Sequence, residues 1–84
     1  MSNRYNGWQN RETWNLALWI QNDEDFYKFA LHCTKVAKFI GTKPFTYFKD
    51  NVDMAGFEDK TGDGVLWHDT KINEDEINKM MEEL

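Results

Sequence analysis

The stretch NDEDFYKFALHCTKVAKFIG, Asn22 to Gly41, holds the strongest periodic signal in the chain. Phe26, Phe29, Ala30, Cys33, Val36, Ala37 and Ile40 recur at i, i+3, i+4, i+7 spacing, which places them on one stripe of a helix over 23–40. Lys28, His32, Lys35 and Lys38 fall off that stripe. Asn22 can cap the helix, and Asp23, Glu24 and Asp25 fall in its first turn, where the helix dipole favours anions. Gly41 is a natural stop. A helix with so broad an apolar stripe needs partners to cover it, and the flanking sequence supplies them.

Upstream, Asn10 is a good N-cap for a helix over 11–21. At 100° per residue, Thr13, Trp14, Leu16, Ala17, Leu18 and Ile20 share a wide arc. Trp14, in the middle of that arc, is expected in the core. Residues 1–9 read as an irregular arm with a turn at Asn6-Gly7. Downstream, Thr42 can cap a third helix over 44–52, opened by Pro44 and holding Phe45, Tyr47, Phe48 and Val52. Residues 56–70, with three glycines, read as an irregular loop or short hairpin. Asn73 with Glu76 three residues on makes a capping box, and Ile72 facing Ile77 a hydrophobic staple. A last helix over 73–84 follows, with Ile77, Met80, Met81 and Leu84 inward. No segment longer than five residues alternates cleanly with period two. The expectation is one domain, 1–84, all-α or mainly α: a bundle of about four helices.

Composition bounds what such a domain can be. A chain of 84 residues has room for one small core, and four Trp, three Tyr and six Phe meet that need. Each enclosed aromatic buries about 150–250 Å². The single cysteine, Cys33, permits no internal disulfide, so a reducing cytoplasm is the expected compartment. Nothing resembles a signal peptide, and the longest apolar run, LALWI, is far short of a membrane span. The net charge of −5 is uneven, because residues 61–84 hold two lysines against seven acids. An acidic end without a basic patch is poorly suited to phosphates, so no direct nucleic-acid binding is expected. A basic partner surface fits better.

Catalytic constellations are missing. His32 and Cys33 are sequence neighbours and point about 100° apart on a helix. His68 and Asp69 face opposite ways on an extended segment. DKTGDGVLWHDT, Asp59 to Thr70, matches the first half of an EF-hand calcium loop, with Asp59, Thr61, Asp63 and Gly64 in place. Its last position is Thr70, where the bidentate Glu belongs, so at most a weak calcium site is expected. No catalytic residue, metal or cofactor is therefore assigned, and the chain is read as a non-enzyme.

Candidate binding residues form two groups. Glu12, Asn15 and Trp19 align at i, i+3, i+7 as a strip off the apolar arc of the first helix. Either the arm folds back over the strip, with Trp8 packing on Trp19, or the strip is an exposed hot spot for a partner. The second group is the acids of the last helix and the loop before it: Asp69, Glu74, Asp75, Glu82 and Glu83.

NGWQNRETWNLALWI, Asn6 to Ile20, resembles the signature of a family of short uncharacterised phage and bacterial proteins. Its pattern is Asn-Gly-Trp-x-Asn-x-Glu-Thr-Trp-Asn-x-x-Leu-Trp, matched at Asn6, Gly7, Trp8, Asn10, Glu12, Thr13, Trp14, Asn15, Leu18 and Trp19. NDED, FTYFKD, DGVLWHD and INEDEINKMM extend the likeness more loosely. That family has no assigned activity. The resemblance implies a small accessory protein of a phage or mobile element, active in the host cytoplasm, that binds a host protein and inhibits or redirects it. The acidic face could then mimic nucleic acid. The alternative is a small structural or self-associating protein, monomer or homodimer, with no inhibitory role.

Overall fold

The helices follow from local signals that compete for the same residues. The computed structural model describes residues 5–84 and holds α1 (Arg11–Asn22), α2 (Glu24–Ile40), α3 (Pro44–Asn51) and α4 (Glu74–Glu82). The chain is mainly α, with no named strand among the described residues. The first four residues of the expected arm lie outside the described residues.

Two caps differ from expectation. Asp23, not Asn22, caps α2, because its carboxylate accepts from the N–H groups of both Asp25 and Phe26. Asn22 instead closes α1, donating from Nδ2 to the Leu18 carbonyl. At α3 the expected Thr42 cap is absent; Lys43 holds the cap position without a side-chain bond. Asn78 of α4 does the work from across the bundle, its Oδ1 accepting the buried Phe45 N–H at 2.8 Å. A long-range amide is geometrically free to reach a donor that the local side chain misses. Asn10 and Asn73 cap α1 and α4 as expected.

α2 packs on all three other helices, and α4 packs on α1 and α3 as well. Ala30, Cys33 and Ala37 form the buried line of α2, and Ala30 and Cys33 meet Leu16 and Ile20 of α1, Phe45 and Phe48 of α3, and Ile77 and Met81 of α4 in one cluster. Ile40, expected at the end of that line, is 58% exposed, because the helix outruns the core there. Leu18 is likewise exposed.

The largest buried side chain is Trp67, from the stretch read as loop or hairpin. It packs on Phe26 and Phe48 with ring centroids 5.1 and 5.0 Å away. Its indole N–H donates to the Glu58 carbonyl at 2.9 Å, so the buried donor is satisfied. The stretch itself is a series of turns with one antiparallel bridge, Lys60 to Leu66.

Trp14 is not the core tryptophan. It is half-buried and lies against Tyr5, ring centroids 5.0 Å apart. Tyr5 reaches it through a tight turn at Asn6-Gly7, where φ is +48° and +89° and Tyr5 and Trp8 exchange both backbone hydrogen bonds. Two successive positive φ angles mark the hairpin turn that suits Asn-Gly.

Candidate functional site

The strip Glu12–Asn15–Trp19 is where the structure departs most from expectation. Residues 61–64 cover it, rather than the arm. The turn Thr61–Gly64 closes through the Gly64 N–H to the Thr61 carbonyl, and Thr61 N–H donates to Val65. It then lies flat on α1. Asn15, 1% exposed, donates from Nδ2 to Asp63 Oδ2 at 2.8 Å and accepts the Thr61 hydroxyl at 2.7 Å. Trp19 Nε1 donates to the same Asp63 oxygen at 2.9 Å. These two donors, the Trp19 bond the stronger influence, hold the Asp63 carboxyl below its ordinary value.

Gly62 is what allows this contact. A β-carbon there would fall 2.4 and 2.5 Å from the Trp19 ring. Trp19 also meets Phe26 edge-on, centroids 6.4 Å apart. Glu12, the third member of the strip, is half-buried beside this clasp.

A second set of bonds joins the same helix to the start of α4. Thr13 donates its hydroxyl to Asn10 Oδ1 at 2.6 Å and accepts the Asn73 N–H at 2.8 Å. Asn10 Nδ2 donates to the Lys71 carbonyl. Glu76 Oε1 accepts the Gln9 N–H at 2.7 Å. The expected capping box is thus opened outward: Asn73 still caps Glu76, but its own N–H is taken by Thr13. Asn10, Thr13, Asn15 and Trp19, all signature residues, are tied into the chain's own second half.

The five acids do not form one face. Asp69 Oδ1 accepts the Lys71 N–H within its turn, and Glu74 pairs with Lys49 at 2.8 Å. Asp75 and Glu82 on α4 and Glu83 at its C-cap are exposed, and so is Lys79. The calcium-like loop spends its ligands internally, since Thr61 is buried and Asp63 Oδ2 already holds two donors. Among the described residues no three His, Cys, Asp or Glu side chains gather as a metal site. Burial pushes the Cys33 thiol up to about 12, far from the range of a nucleophile.

The net acidity of the chain hides a basic stretch. Between Asp25 and Asp50 there is no acid, while Lys28, Lys35, Lys38, Lys43 and Lys49 all fall there. Lys28 pairs with Glu24 and Lys49 with Glu74, and Lys35, Lys38 and Lys43 have no ion pair among the described residues. Lys35 and Lys38 line a groove of about 530 Å³ together with Thr34, Thr42, Pro44 and Glu82, and Lys43 stands between Thr42 and Pro44 in the chain. Phe39, beside it in sequence, is 91% exposed. The molecule therefore has a basic pole at the end of α2, opposite in sign to its net charge. A scan for acid-free windows would have found it.

No helix among the described residues is long and apolar enough to cross a membrane. Neither curated proteins nor solved structures give a match to the chain. The chain belongs, over residues 1–84, to a family of unknown function, DUF7249.

Proposed function

We propose that the chain is a binding module: a small accessory protein of phage type that engages a host protein in the host cytoplasm and modulates it, without catalysis of its own. One observation carries this reading. The polar and aromatic groups that could have built a reactive site are spent on internal bonds, while Phe39 stands 91% exposed next to the unpaired Lys38 and Met54 stands 84% exposed. Large apolar side chains in solvent, rimmed by charge, suit a surface that meets another protein.

Of the two sites considered for the partner, the acidic end fits a nucleic-acid mimic through Asp75, Glu82 and Glu83. The strip would serve only after the turn at Thr61–Gly64 lifts from Asn15. The test is capture of host proteins on the immobilised chain across a salt series. Asp75→Asn, Glu82→Gln and Glu83→Gln together should slow association with a basic partner and remove its salt dependence. Salt-insensitive capture that survives the three changes ends the mimicry reading. Capture of nothing beyond a bare matrix ends the module reading.

Self-association is the second reading, favoured by the exposure of Ile40 next to Phe39. Sedimentation velocity separates them: a monomer at micromolar concentration removes the homodimer.

A further inference from the structure

We propose that the basic pole at the end of α2 is a docking site for an acidic polypeptide segment that carries an aromatic or aliphatic side chain. The proposal rests on the binding-module reading and names a surface and a partner chemistry for it.

The groove between the last turns of α2, the corner at Thr42 and Pro44, and the end of α4 measures about 530 Å³, room for one or two side chains. Lys35 and Lys38 line it, and Lys43 stands beside Thr42 at the corner. Lys38 has a local role as well, since a cation in the last turn complements the helix dipole. Lys35 lies a turn further back and Lys43 beyond the helix end, so that role does not account for them. Phe39 follows Lys35 by four residues and shares its face, with β-carbons about 6 Å apart. An aromatic ring 91% in solvent beside an unpaired lysine offers one apolar contact next to the charge contacts.

The occupant follows from charge. The pole holds three unpaired cations on a chain of net charge −5, so an anionic partner is attracted here and repelled elsewhere. Glu82 in the lining decides among anions. A nucleic acid places a charge at every step and must set a phosphate near that carboxylate. A peptide can space its carboxylates around Glu82 and present a backbone N–H to it. A second copy would have to offer its own acidic end, a heterologous contact that meets repulsion between two chains of −5.

The experiment uses the full chain and an array of ten-residue peptides of net charge −4, with one Phe or Leu moved through every position. Neutral peptides and acidic peptides without the apolar residue serve as comparators. The tightest binder is then measured by fluorescence anisotropy against the wild type, Phe39→Ser, and the triple change Lys35→Gln, Lys38→Gln, Lys43→Gln. A ten-nucleotide single strand is measured alongside. The expected result is at least a tenfold loss of affinity in each variant, and a similar loss when the peptide's apolar residue is removed. All four positions are exposed, and far-UV spectra check folding; should the triple variant misfold, Phe39→Ser decides alone. The proposal is overturned if no acidic peptide binds better than its neutral counterpart, or if Phe39→Ser binds undiminished. It is equally overturned if the oligonucleotide binds as tightly, or if the chain alone forms oligomers that the lysine changes dissolve. A host protein whose capture survives both variants removes this proposal and leaves the binding module standing. A peptide that docks here while no host protein is captured does the reverse.

Discussion

At Gly62 an added β-carbon would lie 2.4 Å from a Trp19 ring carbon, and the ring has Phe26 behind it. Neither side can retreat freely, so Gly62→Ala should cost about 1–3 kcal/mol, as overpacking does. The φ at Gly62 is not in the left-handed region, so the cost comes from the contact alone. In a Trp19→Ala background the same change should cost almost nothing, and urea melts of the four proteins measure the coupling. The two tryptophans of α1 should also rank opposite to the reading from the helical arc. Trp19→Ala removes a ring packed on the core and a donor to Asp63, and should cost about 3 kcal/mol. Trp14→Ala removes a half-buried ring whose neighbour is Tyr5, and should cost about 1 kcal/mol. Helical periodicity saw that Asn15 and Trp19 share a face. It could not see what covers that face, because the cover comes from residues 44–48 positions away.

Asp63 gives the same clasp a pH dependence. Its folded carboxyl titrates below the unfolded value because Trp19 and Asn15 donate to the charged form. Such a group contributes stability that is fully present above the unfolded carboxylate range, near pH 4, and is lost as pH falls through the lower folded value. Wild-type stability should therefore fall more steeply below about pH 4 than that of Asp63→Asn. Thermal melts between pH 2 and 7 report it; parallel curves would count against the clasp.

Helix ends show which signals a sequence can carry. Asn10 and Asn73 were legible as caps because cap and donor lie three residues apart. The cap of α3 was not, because Asn78 comes from another helix, 33 residues on. Asn78→Ala should leave the Phe45 N–H buried and unpaired, a loss of about 1–3 kcal/mol. Amide exchange should quicken in α3 before it does in α1, and uniform quickening would assign Asn78 a packing role instead. Trp67 shows a related limit of local signals. It is the largest side chain of the core although it comes from a run of turns, where no local periodicity marks its size or depth.

Across the whole molecule, the four helices and their order were legible, since each has its own periodicity and its own start or stop. The basic pole was not, because its acid-free run lies between acid-rich segments that outweigh it in the net charge. Calcium makes a test at this scale. Thr61 of the half-motif is buried and Asp63 Oδ2 already holds two donors, so millimolar calcium should leave the melting temperature where millimolar magnesium leaves it. A rise specific to calcium would mean that Asp63 can release Trp19 for a metal.

The bonds from Thr13 to Asn73 and from Gln9 to Glu76 join residues 60 and 67 positions apart. During synthesis the first helix leaves the ribosome with its acceptors and donors open. At about 5–20 residues per second, the partner residues arrive roughly 3–13 s later. Through that interval the Gln9 N–H and the Thr13 hydroxyl oxygen lack the partners that the last helix brings. A nascent chain stalled at residue 60 should stay protease-sensitive throughout, and the fold should appear only once the last helix is free of the tunnel.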